Sequence, residues 1–284
     1  MVMNSISIGQ KRKNRKKALT HVLLIVFSFV FLLPFLWMMI TSLKSMEEIY
    51  QYPPRLLPSV PYVENYRLAV TKMPFLRYLY NTTVITVLTV VGTVCSSSMV
   101  AYSMSKINWG GKKYLFPFIV ATMMIPSQVT MIPLYIIYAK LQLVGTIAPL
   151  VVPKFLGDAY YIFLLRQFFK TIPDAYIESA TIDGAGEGRI FVKIMLPLCK
   201  PALVSVAIFS FLNAWSDFMG PLLYLNSADQ YTLSLGLQAF MQTHFVEWGP
   251  LMAASAIFTI PVIVLFFFAQ KYFIEGITIT GVKG

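Results

Sequence analysis

Charged residues, histidine and cysteine are all scarce in this chain of 284 residues. Only 12% of the residues are Asp, Glu, Lys or Arg, whereas 57% are hydrophobic. Soluble globular domains carry about 25% charged residues, so this composition excludes an ordinary soluble protein. The sequence instead predicts an integral membrane protein.

The chain also lacks the residue patterns that catalysis and metal binding require. Its two histidines, His21 and His244, have no acidic neighbours at metal-ligand spacing. Its two cysteines, Cys95 and Cys199, have no spacing typical of a metal site or a disulfide framework. The nucleotide-binding pattern G-x-x-x-x-G-K-S/T is absent. We therefore predict no metal site, no catalytic residue and no ATPase activity in this chain.

Basic residues outnumber acidic ones by 23 to 12, which gives a formal net charge of +11. They occur in short clusters beside apolar runs rather than along one soluble face, so we expect no nucleic-acid partner. The densest cluster lies within residues 11–17 and would be attracted to an anionic lipid surface. It predicts a basic cytoplasmic tail over residues 1–18.

Six apolar runs reach the length of about 20 residues that a helix needs to cross a bilayer. The first run has no charge between His21 and Thr41, and it exceeds the apolar part of a signal peptide, about 7–15 residues. Helices satisfy their own backbone in lipid, so we predict an all-α polytopic membrane bundle with six transmembrane helices. The predicted spans are 19–42, 82–105, 114–138, 143–168, 202–225 and 251–273, within a transmembrane domain over 19–275.

The distribution of Lys and Arg sets the expected orientation, because cytoplasmic loops retain an excess of both. With the N-terminus inside, sixteen of the 23 Lys and Arg residues lie on the inner side of the membrane. We therefore predict cytoplasmic N- and C-termini. The polar stretch over residues 171–201 then also lies inside.

Prolines are frequent within the predicted spans. Each removes one helix hydrogen bond, which predicts kinks and locally opened backbone. Membrane helices also tolerate single prolines, so no individual position is assigned a role. These prolines are Pro34, Pro117, Pro126, Pro133, Pro149, Pro153, Pro221 and Pro261.

Residues 171–201 separate two apolar runs and are called the coupling stretch from here on. Pro173 and Asp174 favour a helix start after a possible Thr171 cap, and we predict that this helix runs to about Ile182. Residues 183–186 permit a reversal, and apolar residues then recur at helical spacing. The sequence predicts a helix, a turn and a second amphipathic helix.

This stretch resembles the cytoplasmic coupling loop, or EAA loop, of bacterial ABC importer permeases. A serine stands where that pattern has its first alanine. The sugar-importing branch is the most similar, through residues 183–185 and the terminal GITITGVKG of residues 276–284. The matching loop residues are Glu178, Ser179, Ala180, Gly184, Ile194, Leu196 and Pro197.

The resemblance implies a permease subunit of a binding-protein-dependent carbohydrate ABC importer of the maltose and multiple-sugar type, with the type I ABC importer permease fold. It implies a heterodimer with a second permease, two ATPase subunits, an extracellular substrate-binding protein and a sugar substrate. ATP and Mg would bind to the ATPase subunits, and this chain would bind no cofactor. The implied location is the bacterial cytoplasmic membrane, where lipid surrounds a multi-pass chain.

The resemblance also implies roles for individual residues. The coupling stretch would contact an ATPase subunit, with Gly184 allowing its turn. The cytoplasmic tail over 276–284 would reach the interface between the ATPase subunits; an unstructured tail is the alternative. The implied coupling residues are Glu178, Ser179, Ala180, Asp183 and Gly184, and the implied tail residues are Thr280, Gly281 and Lys283.

The fifth predicted span carries a polar stripe that suits a substrate pathway. Ser210, Asn213, Asp217 and Gly220 recur at helical spacing. An acid inside a span costs about 2.5–3.5 kcal/mol on insertion scales, so we expect Asp217 to face the bundle or water. Trp215 could offer an aromatic face to a sugar, although on an ideal helix it points away from the stripe. Packing between helices is the alternative role for these residues.

The fourth predicted span contains Lys154 and Asp158, four residues apart. On one helix face they would pair, either as a structural element or along the pathway. The serines at 96–98 indicate close helix packing. Two other functions stay open at this point: an ion-coupled secondary transporter, and an ABC permease for a solute other than sugar.

Overall fold

The computed structural model describes residues 2–241 and 245–281, with side chains placed in 16–241 and 245–271. His244 and Lys283, both considered above, lie outside these ranges. The described chain is helical, and its β pairing is limited to one isolated bridge between Met241 and Val246. The predicted all-α class is confirmed.

Four of the predicted spans overlap single long helices, and the third overlaps a bent pair of helices. The second bent pair, Glu187–Leu198 with Lys200–Trp215, overlaps only the first part of the fifth predicted span, 202–225. In the described part, four helices are long and apolar enough to cross a membrane, and the number is six if each of two bent pairs is one span. The helices are α1 (Val2–Ser42), α2 (Met46–Tyr50), α3 (Glu64–Thr71), α4 (Phe75–Ser105), α5 (Lys112–Thr122), α6 (Ser127–Lys140), α7 (Ala148–Val151), α8 (Ala159–Thr171), α9 (Ala175–Ile182), α10 (Glu187–Ile190), α11 (Leu196–Leu198), α12 (Lys200–Trp215), α13 (Met219–Tyr224), α14 (Leu233–Gly236) and α15 (Trp248–Gly281). Short 3-10 turns lie at Val152–Leu156, Ala228–Gln230 and Leu237–Phe240, and a π turn lies at Phe191–Met195.

Both terminal helices are longer than the predicted spans. Helix α1 includes residues 2–18, and α15 includes residues 276–281, which the sequence assigned to the two tails. Nucleation is the costly step of helix formation, so a helix already formed over an apolar run extends at low cost. Lys and Arg, which make up six of the seven residues 11–17, are also good helix formers.

One compact unit contains Met1–Ala69 and Phe240–Ile257. At its centre Asn65, only 1% exposed, donates from Nδ2 to the carbonyl oxygens of Ser42 at 3.0 Å and Lys44 at 2.8 Å. Carbonyls at the end of a helix have no partner within that helix. Helix α3 therefore supplies the hydrogen-bond donor for carbonyls at and just after the C-terminal end of α1.

The other unit contains Val70–Ala239 and Phe258–Gly284. Its core joins α4, α8, the coupling stretch and α12, with Leu165, Phe169 and Met195 fully buried. Ala101 of α4 and Ala202 of α12 are fully buried in the same cluster. Small residues allow membrane helices to approach closely, which explains their position here.

The third predicted span, 114–138, is not one straight helix. Helices α5 and α6 are bent by 100° at the break between them. Pro126 has no N–H for the helix ladder, and it disfavours the helical conformation of Ile125 before it. The helix therefore stops at Thr122 and restarts at Ser127.

Candidate functional site

The fifth predicted span is interrupted at residues 216–218. Helix α12 ends at Trp215 and α13 begins at Met219. Pro221 cannot donate to the carbonyl of Asp217, four residues before it. The hydroxyl of Ser234 donates to that carbonyl instead, at 2.5 Å. Asp217 is thus placed at a break in the span, close to one of the prolines for which the sequence predicted kinks.

The fourth predicted span is interrupted as well, at Gly157, which has φ +98. Asp158 begins α8, and its Oδ1 accepts a hydrogen bond from the amide of Tyr160 at 3.1 Å. Its Oδ2 lies 3.8 Å from Nζ of Lys154. The two residues therefore pair as predicted, but across a break rather than along one helix face. Both side chains are partly exposed, so we expect the ion pair to contribute at most about 1 kcal/mol.

The serines of α4 hold this second break in place. Ser96 donates from Oγ to the carbonyl of Lys154 at 2.8 Å, and Ser97 accepts at Oγ from the amide of Asp158 at 3.3 Å. Both serines are buried, as close packing required. They also satisfy backbone groups that lack helix partners, a role that the sequence did not reveal.

Residues at both breaks line one cavity of about 240 Å³, which is called the polar cavity from here on. Three of the four residues in the predicted stripe line it, and so do both members of the Lys154–Asp158 pair. With two carboxylates and one ammonium group, its ionisable lining has one excess negative charge. Its lining residues are Ile85, Thr89, Leu150, Lys154, Asp158, Tyr161, Ser210, Asn213, Ala214, Asp217, Pro221 and Thr232.

An aromatic residue lines the polar cavity, but it is Tyr161 and not Trp215. Asn213 donates from Nδ2 to Oη of Tyr161 at 3.0 Å. Trp215 is only 4% exposed, and its ring stacks on those of Phe211 and Phe258. Placing Trp215 in the pathway is therefore not supported. The sequence feature that could have identified Tyr161 as a cavity residue is its spacing. Tyr161 follows Asp158 by three residues at the start of the same helix.

Gly220, the fourth member of the stripe, acts through its neighbour. Its amide donates to Oδ1 of Asp217 at 3.0 Å, which satisfies one N–H group in the first turn of α13. A methyl group at this position would overlap Oδ2 of Asp217 and lie 2.8 Å from Cδ2 of Leu150. Gly220 therefore leaves room for the carboxylate.

The coupling stretch forms the predicted helix, turn and second helix. Gly184 ends α9 with φ +77, and its amide donates to the carbonyl of Thr181 at 3.0 Å. The amide of Ala185 donates to the carbonyl of Ala180 at 2.9 Å. This pair of bonds is the Schellman arrangement, which favours glycine at the left-handed position. The backbone conformation, not lack of space, explains the glycine, since nothing lies within 4 Å of a Cβ added there.

The five predicted coupling residues do not all face outwards. Glu178, Ser179, Asp183 and Gly184 are exposed, whereas Ala180 is 8% exposed and belongs to the core cluster. Ile182 is 86% exposed and Tyr176 is 50% exposed. Neither of these two residues is among the predicted coupling residues, although both lie on the predicted first helix.

Two polar side chains attach the coupling stretch to the end of α4 through three hydrogen bonds. Lys106 donates from Nζ to the carbonyl of Ile172 at 2.5 Å and to Oδ1 of Asp174 at 2.6 Å. Tyr102 donates from Oη to Oε2 of Glu187 at 2.6 Å. Because α4 also contributes Thr89 to the polar cavity, one helix connects the two sites.

The predicted tail residues are partly described. Thr280 and Gly281 lie in the last turn of α15, and Lys283 is outside the described residues.

Comparison with solved structures defines the class of protein. The chain matches a chain of the crystal structure of a bacterial ABC transporter involved in the import of the acidic polysaccharide alginate. The TM-score is 0.80 with 25% identity, over 90% of this chain and 95% of the other. The fold is therefore the type I ABC importer permease fold, as predicted.

The family follows from the sequence comparisons. Residues 92–279 match the binding-protein-dependent transport system inner membrane component, and the chain belongs to this family. The chain is 33% identical to the arabinooligosaccharides transport system permease protein AraQ of Halalkalibacterium halodurans, over 90% of this chain and 93% of that protein. It is 30% identical to the diacetylchitobiose uptake system permease protein NgcG of Streptomyces coelicolor, over 90% and 86%.

Family membership confirms several predictions. The chain is a multi-pass permease of the cytoplasmic membrane and not a catalytic subunit, because the ATPase of such a system is a separate partner. A partner permease and a substrate-binding protein belong to the same system. The ion-coupled secondary transporter left open by the sequence is excluded.

Proposed function

We propose that this chain is one of two permease subunits of an ATP-driven importer for a sugar or oligosaccharide. An extracellular binding protein delivers the sugar, and two ATPase subunits bind ATP and Mg. The observation that carries this proposal is the polar cavity between two helix breaks. Its hydroxyl, amide and carboxylate groups suit sugar hydroxyls, and Tyr161 offers an aromatic ring.

The size of the polar cavity supports a pathway shared between two permeases. Complete ligand sites occupy about 300–1,000 Å³, whereas this cavity is about 240 Å³. We infer that this chain supplies one wall and the partner permease supplies the opposite wall. Asn213, Asp217 and Ser210 are the substrate-facing residues of this wall, and Gly220 positions Asp217.

We assign the contact with the ATPase to the exposed side of α9. Glu178, Ser179 and Asp183 supply polar groups, Ile182 and Tyr176 supply apolar surface, and Ala180 packs the helix onto the core. A rotation of α9 would be transmitted to α4 through the hydrogen bonds of Lys106 and Tyr102. Helix α4 would carry the movement to the polar cavity. The tail residues Thr280, Gly281 and Lys283 would meet the interface between the two ATPase subunits.

Purification of the native complex tests the proposed assembly. We expect a tagged chain to bring with it one further permease and two copies of an ATPase, measured by native mass spectrometry of the intact complex. Addition of a sugar-loaded binding protein should stimulate ATP hydrolysis by that complex. A complex stimulated by phosphate or an amino acid instead would favour the second candidate, an ABC permease for a solute other than sugar.

A further inference from the structure

Four basic side chains surround a second cavity, of about 430 Å³, where α4, α5 and α8 come together. It is called the basic cavity below. No acidic side chain is among its lining residues, so it carries four positive charges. The lining residues are Met104, Ser105, Lys112, Lys113, Phe116, Pro117, Arg166 and Lys170.

The contacts of these cations leave their charge uncompensated. Arg166 donates from Nε to the carbonyl of Met104 at 3.2 Å, and its Cζ lies 3.7 Å from the ring centroid of Phe116. Lys112 donates from Nζ to the carbonyl of Ile107 at 3.0 Å. Within the described residues, no carboxylate forms an ion pair with any of the four. A cluster of like charges without counter-charge is expected to attract an anion.

The surroundings of the basic cavity indicate what kind of anion fits. Helix α5, which carries Lys112 and Lys113, also exposes Tyr114, Leu115 and Phe118, the last at 68%. An anion bound here would therefore have an apolar surface beside it. A phosphate group attached to acyl chains matches both features, because basic pockets between membrane helices on the cytoplasmic side bind anionic lipid head groups.

We propose that the basic cavity binds the phosphate of an anionic phospholipid of the inner leaflet, with the acyl chains along the exposed apolar face of α5. The four cations hold the phosphodiester group, and Arg166 offers its remaining N–H donors to the phosphate oxygens. A zwitterionic lipid has a phosphate too, but its own cation offsets the attraction. The site therefore distinguishes phosphatidylglycerol from phosphatidylcholine. This site is separate from the polar cavity and from the face of α9.

The test uses the complete transporter in nanodiscs that contain phosphatidylglycerol and phosphatidylcholine in equal amounts. Native mass spectrometry after release from the nanodisc counts the lipids retained by the complex. We expect phosphatidylglycerol to be retained in preference to phosphatidylcholine. Retention of the two lipids in equal amounts by the unaltered complex would overturn the proposal without any variant.

Two variants locate the binding. Lys113→Gln with Lys170→Gln removes two exposed cations that donate no described hydrogen bond, and retention of phosphatidylglycerol should fall by roughly fivefold for each charge removed. Lys193→Gln with Lys200→Gln is the matched control, because both residues are exposed and neither lines the basic cavity. Equal losses in the double variant and the control would contradict the assignment.

Two further outcomes identify other occupants. If free glycerol 3-phosphate displaces the retained lipid as effectively as phosphatidylglycerol does, the site does not recognise acyl chains. The lipid assignment would then be wrong. A double variant that keeps its phosphatidylglycerol but loses the ATPase subunits would make the basic cavity part of a protein interface. Either result replaces the proposed lipid with another partner.

Discussion

The amide of Gly220 donates a hydrogen bond to Oδ1 of Asp217 at 3.0 Å, and this contact connects the break in the fifth span to the first turn of α13. The carboxylate is thereby fixed at the wall of the polar cavity. A side chain at position 220 would displace this carboxylate, because its Cβ would overlap Oδ2 of Asp217.

Gly220→Ala should therefore reduce sugar uptake while the complex still assembles. The methyl group displaces the carboxylate, and we expect a loss of roughly tenfold, equivalent to about 1.4 kcal/mol. Uptake of labelled sugar by proteoliposomes measures the effect. Gly110→Ala is the control, since nothing lies within 4 Å of a Cβ built on Gly110. Equal uptake by the two variants would show that the position of Asp217 does not matter.

Gly184 and Gly186 provide a matched pair in the coupling stretch. Neither has an atom within 4 Å of an added Cβ, but Gly184 has φ +77 and Gly186 has φ -75. Gly184→Ala should cost roughly 1–2 kcal/mol of local stability and impair coupling, whereas Gly186→Ala should be tolerated. The ratio of sugar transported to ATP hydrolysed measures coupling. A normal ratio in Gly184→Ala would contradict the role given to this turn.

Labelling of single cysteines tests which residues of α12 and of the break after it face the pathway. In a background without Cys95 and Cys199, a water-soluble thiol reagent should modify Asn213→Cys and Asp217→Cys. Trp215→Cys should be protected, because the native side chain there is 4% exposed between two phenylalanine rings. Protection of all three positions would favour helix packing over a pathway.

The C-terminal residues can be tested by truncation. Deletion of residues 278–284 should lower the stimulation of ATP hydrolysis by sugar-loaded binding protein, if these residues meet the ATPase interface as we propose. Membrane insertion should remain normal, since residues 278–284 lie beyond the apolar part of α15. Unchanged stimulation together with normal uptake would remove the tail from the coupling mechanism.

The sequence predicted the helices and the coupling stretch because both depend on local patterns. Apolar runs of span length predicted the four long helices and the bent pair over the third span, and the residues 183–186 predicted the turn that Gly184 makes. The pairing of Lys154 with Asp158 was also predicted from spacing alone. Each of these features involves residues that are close along the chain.

The breaks in the spans could not be located from the sequence because they depend on distant partners. Pro221 indicated a distortion of the helix, but the position of the break depends on Ser234. The hydroxyl of Ser234 donates to the carbonyl of Asp217. The break before Asp158 depends likewise on Ser96 and Ser97 of α4. Eight prolines in the predicted spans look alike in sequence, and only the tertiary contacts distinguish them.

The energy source of uptake in reconstituted vesicles tests the central claim most directly. The purified complex is placed in liposomes that enclose ATP and Mg, and binding protein with a labelled neutral oligosaccharide is added outside. We predict accumulation of the oligosaccharide that requires enclosed ATP and is unaffected when ion gradients are abolished. Accumulation driven by an ion gradient without ATP, or ATP-driven uptake of phosphate or amino acids but no oligosaccharide, would contradict the account.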